Sequence, residues 1–268
     1  MFKTLKYSIS IIAILVVLVI VLLRIPSVQD SVLDFAISGL INTDSPLVKE
    51  DALSAVVCGS RSPLPNPERS ETCILIKAGD KVFIVDAGDG SASNLRTFGI
   101  PYEFEAILIT HLHSDHFSDL QDLHLGSWVT GRKEKLKVYG PEGIKEITEG
   151  FERAYALDAK YRYDHHGDQV LVEEANGYET ITLIPNQKPF YDDGFLTITA
   201  FLVEHEPVEP SLGFRFDYKG RSIVLSGDTI YSENLISYAQ DADVLFMEAL
   251  SMDCLLYTSD AADDWFCV

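Results

Sequence analysis

The segment Thr110-His111-Leu112-His113-Ser114-Asp115-His116 packs three imidazoles and a carboxylate into one short stretch. Burying so many polar rings costs free energy unless each is bonded, so core filling is a poor explanation. Imidazole and carboxylate together form a donor set for Zn²⁺ and related divalent ions. In an extended loop His111 and His113 can converge on one ion, while Asp115 and His116 turn away and serve a second. A metal-free surface loop is the competing interpretation. Further candidate ligands downstream weigh against it.

The elements that must position this loop read as β-branched apolar runs punctuated by glycine and proline. Strands are expected at residues 54–59, 72–77 and 81–86, the last two joined by the turn Ala78-Gly79-Asp80. The metal loop follows a strand at 106–110, and another strand at 136–139 comes after a helical stretch at 118–128. Pro141 suits the first turn of a helix running through Phe151 towards Tyr161. Strands are then expected at 169–174, 179–184, 195–204, 212–218 and 221–226, followed by a helix at 232–239 and a strand at 243–247. Many strands with interspersed helices imply a layered α/β sandwich.

The 268 residues are 47% apolar and 23% charged, which excludes a disordered or collagen-like chain. Lys+Arg is 21 against Asp+Glu 41, a net charge of −20. So acidic a chain repels phosphate backbones, which argues against nucleic acid and for a small-molecule substrate. Four cysteines are too few for a disulfide scaffold. Cys58 and Cys73 fall in neighbouring strands, and both a disulfide and two buried thiols stay open.

The termini carry their own expectations. Lys3 and Lys6 precede an apolar run at residues 7–23, and no small-residue cleavage pattern follows Arg24. Residues 1–24 therefore read as a membrane anchor, with a cleaved signal segment as the rival. The basic flank places the catalytic domain outside the cytoplasm, in the periplasm of a Gram-negative cell. Residues 25–53 form a linker, and 54–253 the hydrolase domain. Residues 254–268 resemble a translated sequencing adapter and are expected to be non-native.

With its H-x-H-x-D-H signature at 111–116, the chain resembles the metallo-β-lactamase fold superfamily over residues 54–253. The resemblance implies a four-layer αβ/βα sandwich with metals at the shared edge of its two halves, its C-terminal elements missing here. Asp86, ending Val-Phe-Ile-Val-Asp, matches an aspartate that orients the metal loop. His205 matches a further ligand, and Asp228 in Ser226-Gly227-Asp228-Thr229 matches a carboxylate that bridges two ions. One zinc would then take His111, His113 and His205, and a second Asp115, His116 and Asp228. The family's remaining histidine has no counterpart, because no histidine follows Asp228, so the second site is expected to be incomplete.

Within the superfamily, Cys58-Gly59-Ser60-Arg61-Ser62-Pro63-Leu64-Pro65 running on to Arg69, with the stretch 195–229, is similar to both ribonuclease Z-like and arylsulfatase-like members. Two departures tell against ribonuclease activity. A His-Glu-Ala-Thr box appears as Met247-Glu248-Ala249-Leu250, and a basic arm for gripping tRNA is not evident. Residues 155–167 look more like the sulfatase-like members. Within them, His165 and His166 are candidate substrate contacts, with a polar surface loop as the alternative, while His124 reads as structural.

The resemblance implies a metal-dependent hydrolase that turns a metal-bound hydroxide on an ester-type bond, a phosphodiester or sulfate ester of a small substrate. Asp115, Asp228 and Glu248 are its candidate catalytic carboxylates. The alternatives are a ribonuclease Z-type tRNA 3′-processing endonuclease and a non-catalytic, membrane-anchored metal-binding module.

Overall fold

The computed structural model describes residues 21–22, 24–25, 27–29, 31–32, 45–64, 66–185 and 188–249. Of the two compact units into which the chain divides, Met1–Ser45 and Pro46–Val268, the second carries every described strand. The tail at 254–268 lies outside the described residues.

Six strands form the first sheet in sequence order: β1 (Leu53–Gly59), β2 (Cys73–Ala78), β3 (Lys81–Val85), β4 (Ala106–Leu108), β5 (Leu136–Gly140) and β6 (Tyr178–Thr182). The first three pair antiparallel and the rest parallel. The second sheet contains β7 (Tyr191–Asp192), β8 (Leu196–Val203), β9 (Ser211–Tyr218), β10 (Arg221–Leu225) and β11 (Val244–Phe246), in the order β11-β10-β9-β8-β7. Four helices accompany them: α1 (Ser91–Thr97), α2 (Leu120–Val129), α3 (Ile144–His166) and α4 (Glu233–Tyr238).

Strand alternation explains the layering, since successive side chains leave opposite faces of a sheet. Leu75, Ile84, Ile107 and Val138 leave one face of the first sheet and pack on Ala92, Leu95, Leu120, Leu123 and Ile144 from the helices. Ile76, Phe83, Val85 and Leu108 leave the other face and meet Ile198, Phe214, Phe216 and Leu225 of the second sheet. Phe201, Val203 and Val224 on the second sheet's far side receive Leu235 and Tyr238 of α4. The result is helix, sheet, sheet, helix, the expected four-layer sandwich. Cys58 and Cys73, on adjacent strands, are joined in a disulfide.

Residues 169–174 do not form the expected strand. They end in a 3-10 turn, Glu173–Ala175, with Leu171 and Ala175 buried beside Trp128. Their apolar residues serve a satellite cluster under the loop and have no sheet partner. The long helix α3 buries only Ile144 and Thr148 near its start. Its remainder is laced by Lys145–Glu149, Arg153–Glu149, Arg162–Asp158 and Lys160–Asp164 pairs at helical spacing.

The expected membrane anchor is corrected. Of residues 7–23 only Val21 and Leu22 are among those described, and among the described residues no helix is long and apolar enough to cross a membrane. Residues 7–20 and 23 lie outside the described residues. The transmembrane, signal-anchor and periplasmic assignments, which all rested on that run, fall with it.

His124, on α2, is the structural histidine the sequence suggested. It is buried, its Nε2 accepts the Gly177 N–H at 2.8 Å, and its Nδ1 is buried with no partner. Burial first, and the nearby Arg132 charge second, lower its pKa to about 3. In the unfolded chain the ring titrates near about 6.5, so between these values the unfolded state binds the extra proton. His124 therefore contributes stability that is complete above the unfolded value and is lost as pH falls, with a slope of up to about 1.4 kcal/mol per pH unit. Urea unfolding at pH 7 and pH 5 should show a larger loss in the wild type than in His124→Gln. Parallel losses would show that this ring does not carry the acid sensitivity.

Candidate metal centre

The metal loop hangs between the two sheets. At the end of β4, the Ile109 N–H donates to Tyr139 O at 2.8 Å and the Leu212 N–H donates to Thr110 O at 3.0 Å. A 3-10 turn, Ser114–His116, then folds the chain back, and the Ala87 N–H donates to His116 O at 2.7 Å. Gly88 makes this close approach possible. A Cβ there would fall 2.1 Å from Asp115 O, so only glycine lets the end of β3 lie against the loop.

Asp86, 2% exposed, ties the loop together from below. Its Oδ1 accepts the Thr110 N–H at 2.8 Å, and its Oδ2 lies 2.9 Å from the Thr110 hydroxyl and 2.8 Å from His116 Nδ1. With its Nδ1–H donated to Asp86, His116 turns Nε2 towards Asp115 and Asp228, where a bound metal ion would take the place of any proton on that atom. That Nε2 is buried and has no hydrogen-bond partner, with Asp115 Oδ2 and Asp228 Oδ2 each 3.6 Å away.

The other rings meet edge to edge. His111 Nε2 lies 3.0 Å from His113 Nδ1, and His205 Nε2 lies 3.3 Å from the same atom. His205 follows β8, and Asp228 follows β10 on a turn where Gly227 has φ +61°. The two loops are stitched together by Glu204 N–H to Thr229 Oγ1 at 3.2 Å and Ile230 N–H to Glu204 O at 2.8 Å. Two groups could each hold a metal ion, with ligand atoms within 4.8 Å of one another: His111, His113 and His205, and His111, His116 and Asp228. His111 thus joins both groups, whereas the expected second set had Asp115 in its place.

The electrostatics fit a cation. Burial, helped by the His116 charge, lowers His111 to about 3 and keeps it in the neutral form a metal requires. For His116, burial opposes charging, but the Asp86 and Asp228 carboxylates overcome it and raise the pKa to about 10. Asp228, despite burial, is held below the usual carboxylate range by the His116 ring 3.6 Å away. Carboxylates gathered around a cluster of ring nitrogens suit a positive charge. The residues present fit a divalent ion.

This cluster opens into a cavity of about 560 Å³ lined by Asp86, Asp115, His205, Asp228 and Glu248 among others. Glu248 accepts the Thr229 N–H at 2.8 Å, and burial raises its carboxyl above the usual range. His165 and His166 are not brought in. They form the exposed last turn of α3, in place of the surface loop that was the alternative, and neither lines the cavity. Sequence reasoning gave no role to Arg61, whose side chain also lines it.

The chain belongs to the metallo-beta-lactamase superfamily, which matches residues 66–254. It is 34% identical over 205 residues to "Ribonuclease Z" of Mycobacterium bovis, covering 75% of this chain and 71% of that protein. It is 32% identical over 209 residues to "Ribonuclease Z" of Mycobacterium marinum, covering 76% and 72%. Two solved structures share the fold. The metallo-beta-lactamase fold protein YhfI from Bacillus subtilis aligns with TM-score 0.56 at 22% identity, over 73% of this chain and 70% of that one. The short form of human tRNase Z aligns with TM-score 0.55 at 23% identity, over 71% and 75%.

Family and relatives together make the chain a hydrolase, which removes the non-catalytic alternative. They also correct the reading that the chain's acidity argues against nucleic acid as a partner, because the relatives are named as ribonucleases. That expectation rested on net charge, a property of the whole surface, whereas a substrate meets the local field of the cavity.

Proposed function

We propose that this chain is a metal-dependent RNA phosphodiesterase of the ribonuclease Z type, cutting tRNA precursors on their 3′ side. The observation that carries the proposal is the convergence of His111, His113, His116, His205 and Asp228 in two ligand groups, of which His205 and Asp228 also line the cavity. Similarity to the ribonucleases over three quarters of the chain supports it. Two zinc ions fit the donor set, one with His111, His113 and His205, the other with His116 and Asp228 and with Asp115 beside them. Zinc, when bound, polarises a phosphoryl oxygen and makes a water nucleophilic near neutral pH.

The chain's own residues do the rest. Asp86 fixes the ring of His116 so that Nε2 faces Asp115 and Asp228. Asp115 and Asp228 both line the cavity, and either carboxylate could accept the proton that an attacking water loses. Glu248, raised by burial, holds a proton to a higher pH than an exposed carboxyl and supports departure of the leaving oxygen.

A second reading, hydrolysis of a small phosphodiester or sulfate ester, is favoured by the net charge of −20. The two separate in one assay of the zinc-loaded protein on a 3′-extended tRNA precursor, bis(p-nitrophenyl) phosphate and p-nitrophenyl sulfate. The proposal expects one discrete cut in the precursor and no attack on the sulfate ester. Turnover of a small ester with the precursor left intact would replace it with the second reading.

A further inference from the structure

Arg61 begins the loop after β1, where the Ser60 and Arg61 N–H groups both donate to Ser70 O at 2.9 Å. Arg61 lines the cavity, and its side chain is 16% exposed. A guanidinium offers five N–H donors. Here Nη2 alone reaches Glu71 Oε1 at 3.2 Å and Asp89 Oδ2 at 3.3 Å. Both exceed the roughly 2.7–2.9 Å of a strong charge-assisted bond. Nε is buried with no partner, and no described residue engages Nη1. The two acids hold the group in place without satisfying it. Glu71 is itself fixed, its Oε2 accepting the Asp89 N–H at 2.9 Å.

The surroundings make this spare capacity meaningful. Among the described residues lining the cavity, Arg61 is the one lysine or arginine, and it shares the wall with Asp86, Asp115, Asp228 and Glu248. An RNA strand brings a phosphate on either side of the one being cut, and those flanking charges would meet carboxylates unless a cation received them. The ions would serve the scissile phosphate, which leaves a neighbouring one to the protein.

We propose that Arg61 binds a phosphate adjacent to the scissile one and thereby selects a polyanionic strand over a single small ester. The inference rests on the RNA reading above and names a residue that sets its specificity.

The test compares zinc-loaded wild type, Arg61→Gln and Arg61→Lys on the tRNA precursor and on bis(p-nitrophenyl) phosphate, which carries no flanking phosphate. In Arg61→Gln the precursor's KM should rise about tenfold more than that of the small ester, with kcat less affected, the size of one lost phosphate contact. The dependence of log KM on log salt should become shallower by about 0.7 for that variant. Arg61→Lys should keep the wild-type salt dependence, because the charge remains, yet raise the precursor's KM about threefold through loss of the planar fork. If the Gln variant does not fold, the Lys variant carries the test alone. Equal losses on both substrates would make Arg61 a scaffold residue and overturn the inference, as would a precursor KM that does not move. A wild type that cuts the small ester but no RNA overturns the functional reading and this inference with it. A wild type that cuts RNA while the Arg61 variants match it overturns this inference alone.

Discussion

Replacing Asp86 by asparagine is expected to lower zinc affinity by about 10- to 100-fold, although the two side chains have almost the same shape. The carboxylate accepts from Thr110 on one oxygen and meets His116 Nδ1 on the other, at 2.8 Å. An amide keeps the first contact but turns an N–H towards His116. The ring must then accept at Nδ1 and carry its proton on Nε2, the atom that faces Asp115 and Asp228. A protonated Nε2 cannot ligate a metal. Asp86→Ala fails differently: it strands Thr110 and His116 in a buried pocket and should cost about 3–5 kcal/mol of stability as well. Competition with a zinc chelator, alongside thermal melting, separates the two effects. An Asn variant that binds zinc within twofold of the wild type would remove Asp86 from the account of the site.

The largest loss is expected from His111→Ala combined with His113→Ala. His111 belongs to both candidate groups, and His113 Nδ1 is the atom that His111 and His205 both approach. Without these two rings neither group retains three ligands, so bound zinc should fall well below that of the wild type. Cleavage should drop by on the order of 10³-fold or more, because both substrate polarisation and nucleophile activation depend on the ion. His165→Ala with His166→Ala provides the control, since those exposed rings end α3 outside the cavity. Metal analysis of the two double variants should differ sharply. Equal zinc in both would place the metal elsewhere.

The parts of this molecule that were legible in the sequence are those set by short-range pattern. Apolar runs rich in β-branched residues marked β2, β3, β8, β9 and β10 to within a residue or two, because each is largely buried in a sheet. The ligand cluster was legible because His and Asp at such density have few other uses. What escaped depends on tertiary partners. Helix α1, Ser-Ala-Ser-Asn-Leu-Arg-Thr, has weak intrinsic helix preference and is held by burial of Ala92 and Leu95 and by the Ala92 N–H to Asp119 at 3.0 Å. Strand β7 is two residues long and exists only as an edge beside β8. The fate of Cys58 and Cys73 turned on strand register, which places Cys73 opposite Gly59. Arg61 lay inside the Cys58–Pro65 stretch that carried the family resemblance without a role of its own, and only the fold places it in the wall of the cavity.

The most direct test strips the protein with a chelator and returns zinc in steps, following bound metal and cleavage of a 3′-extended tRNA precursor in the same samples. The account predicts no cleavage from the stripped protein. It predicts that activity returns in proportion to zinc bound, and that the His111→Ala, His113→Ala protein binds well below the wild type and does not cut. Undiminished cutting after stripping, or full zinc binding without any cut in the RNA, would contradict it.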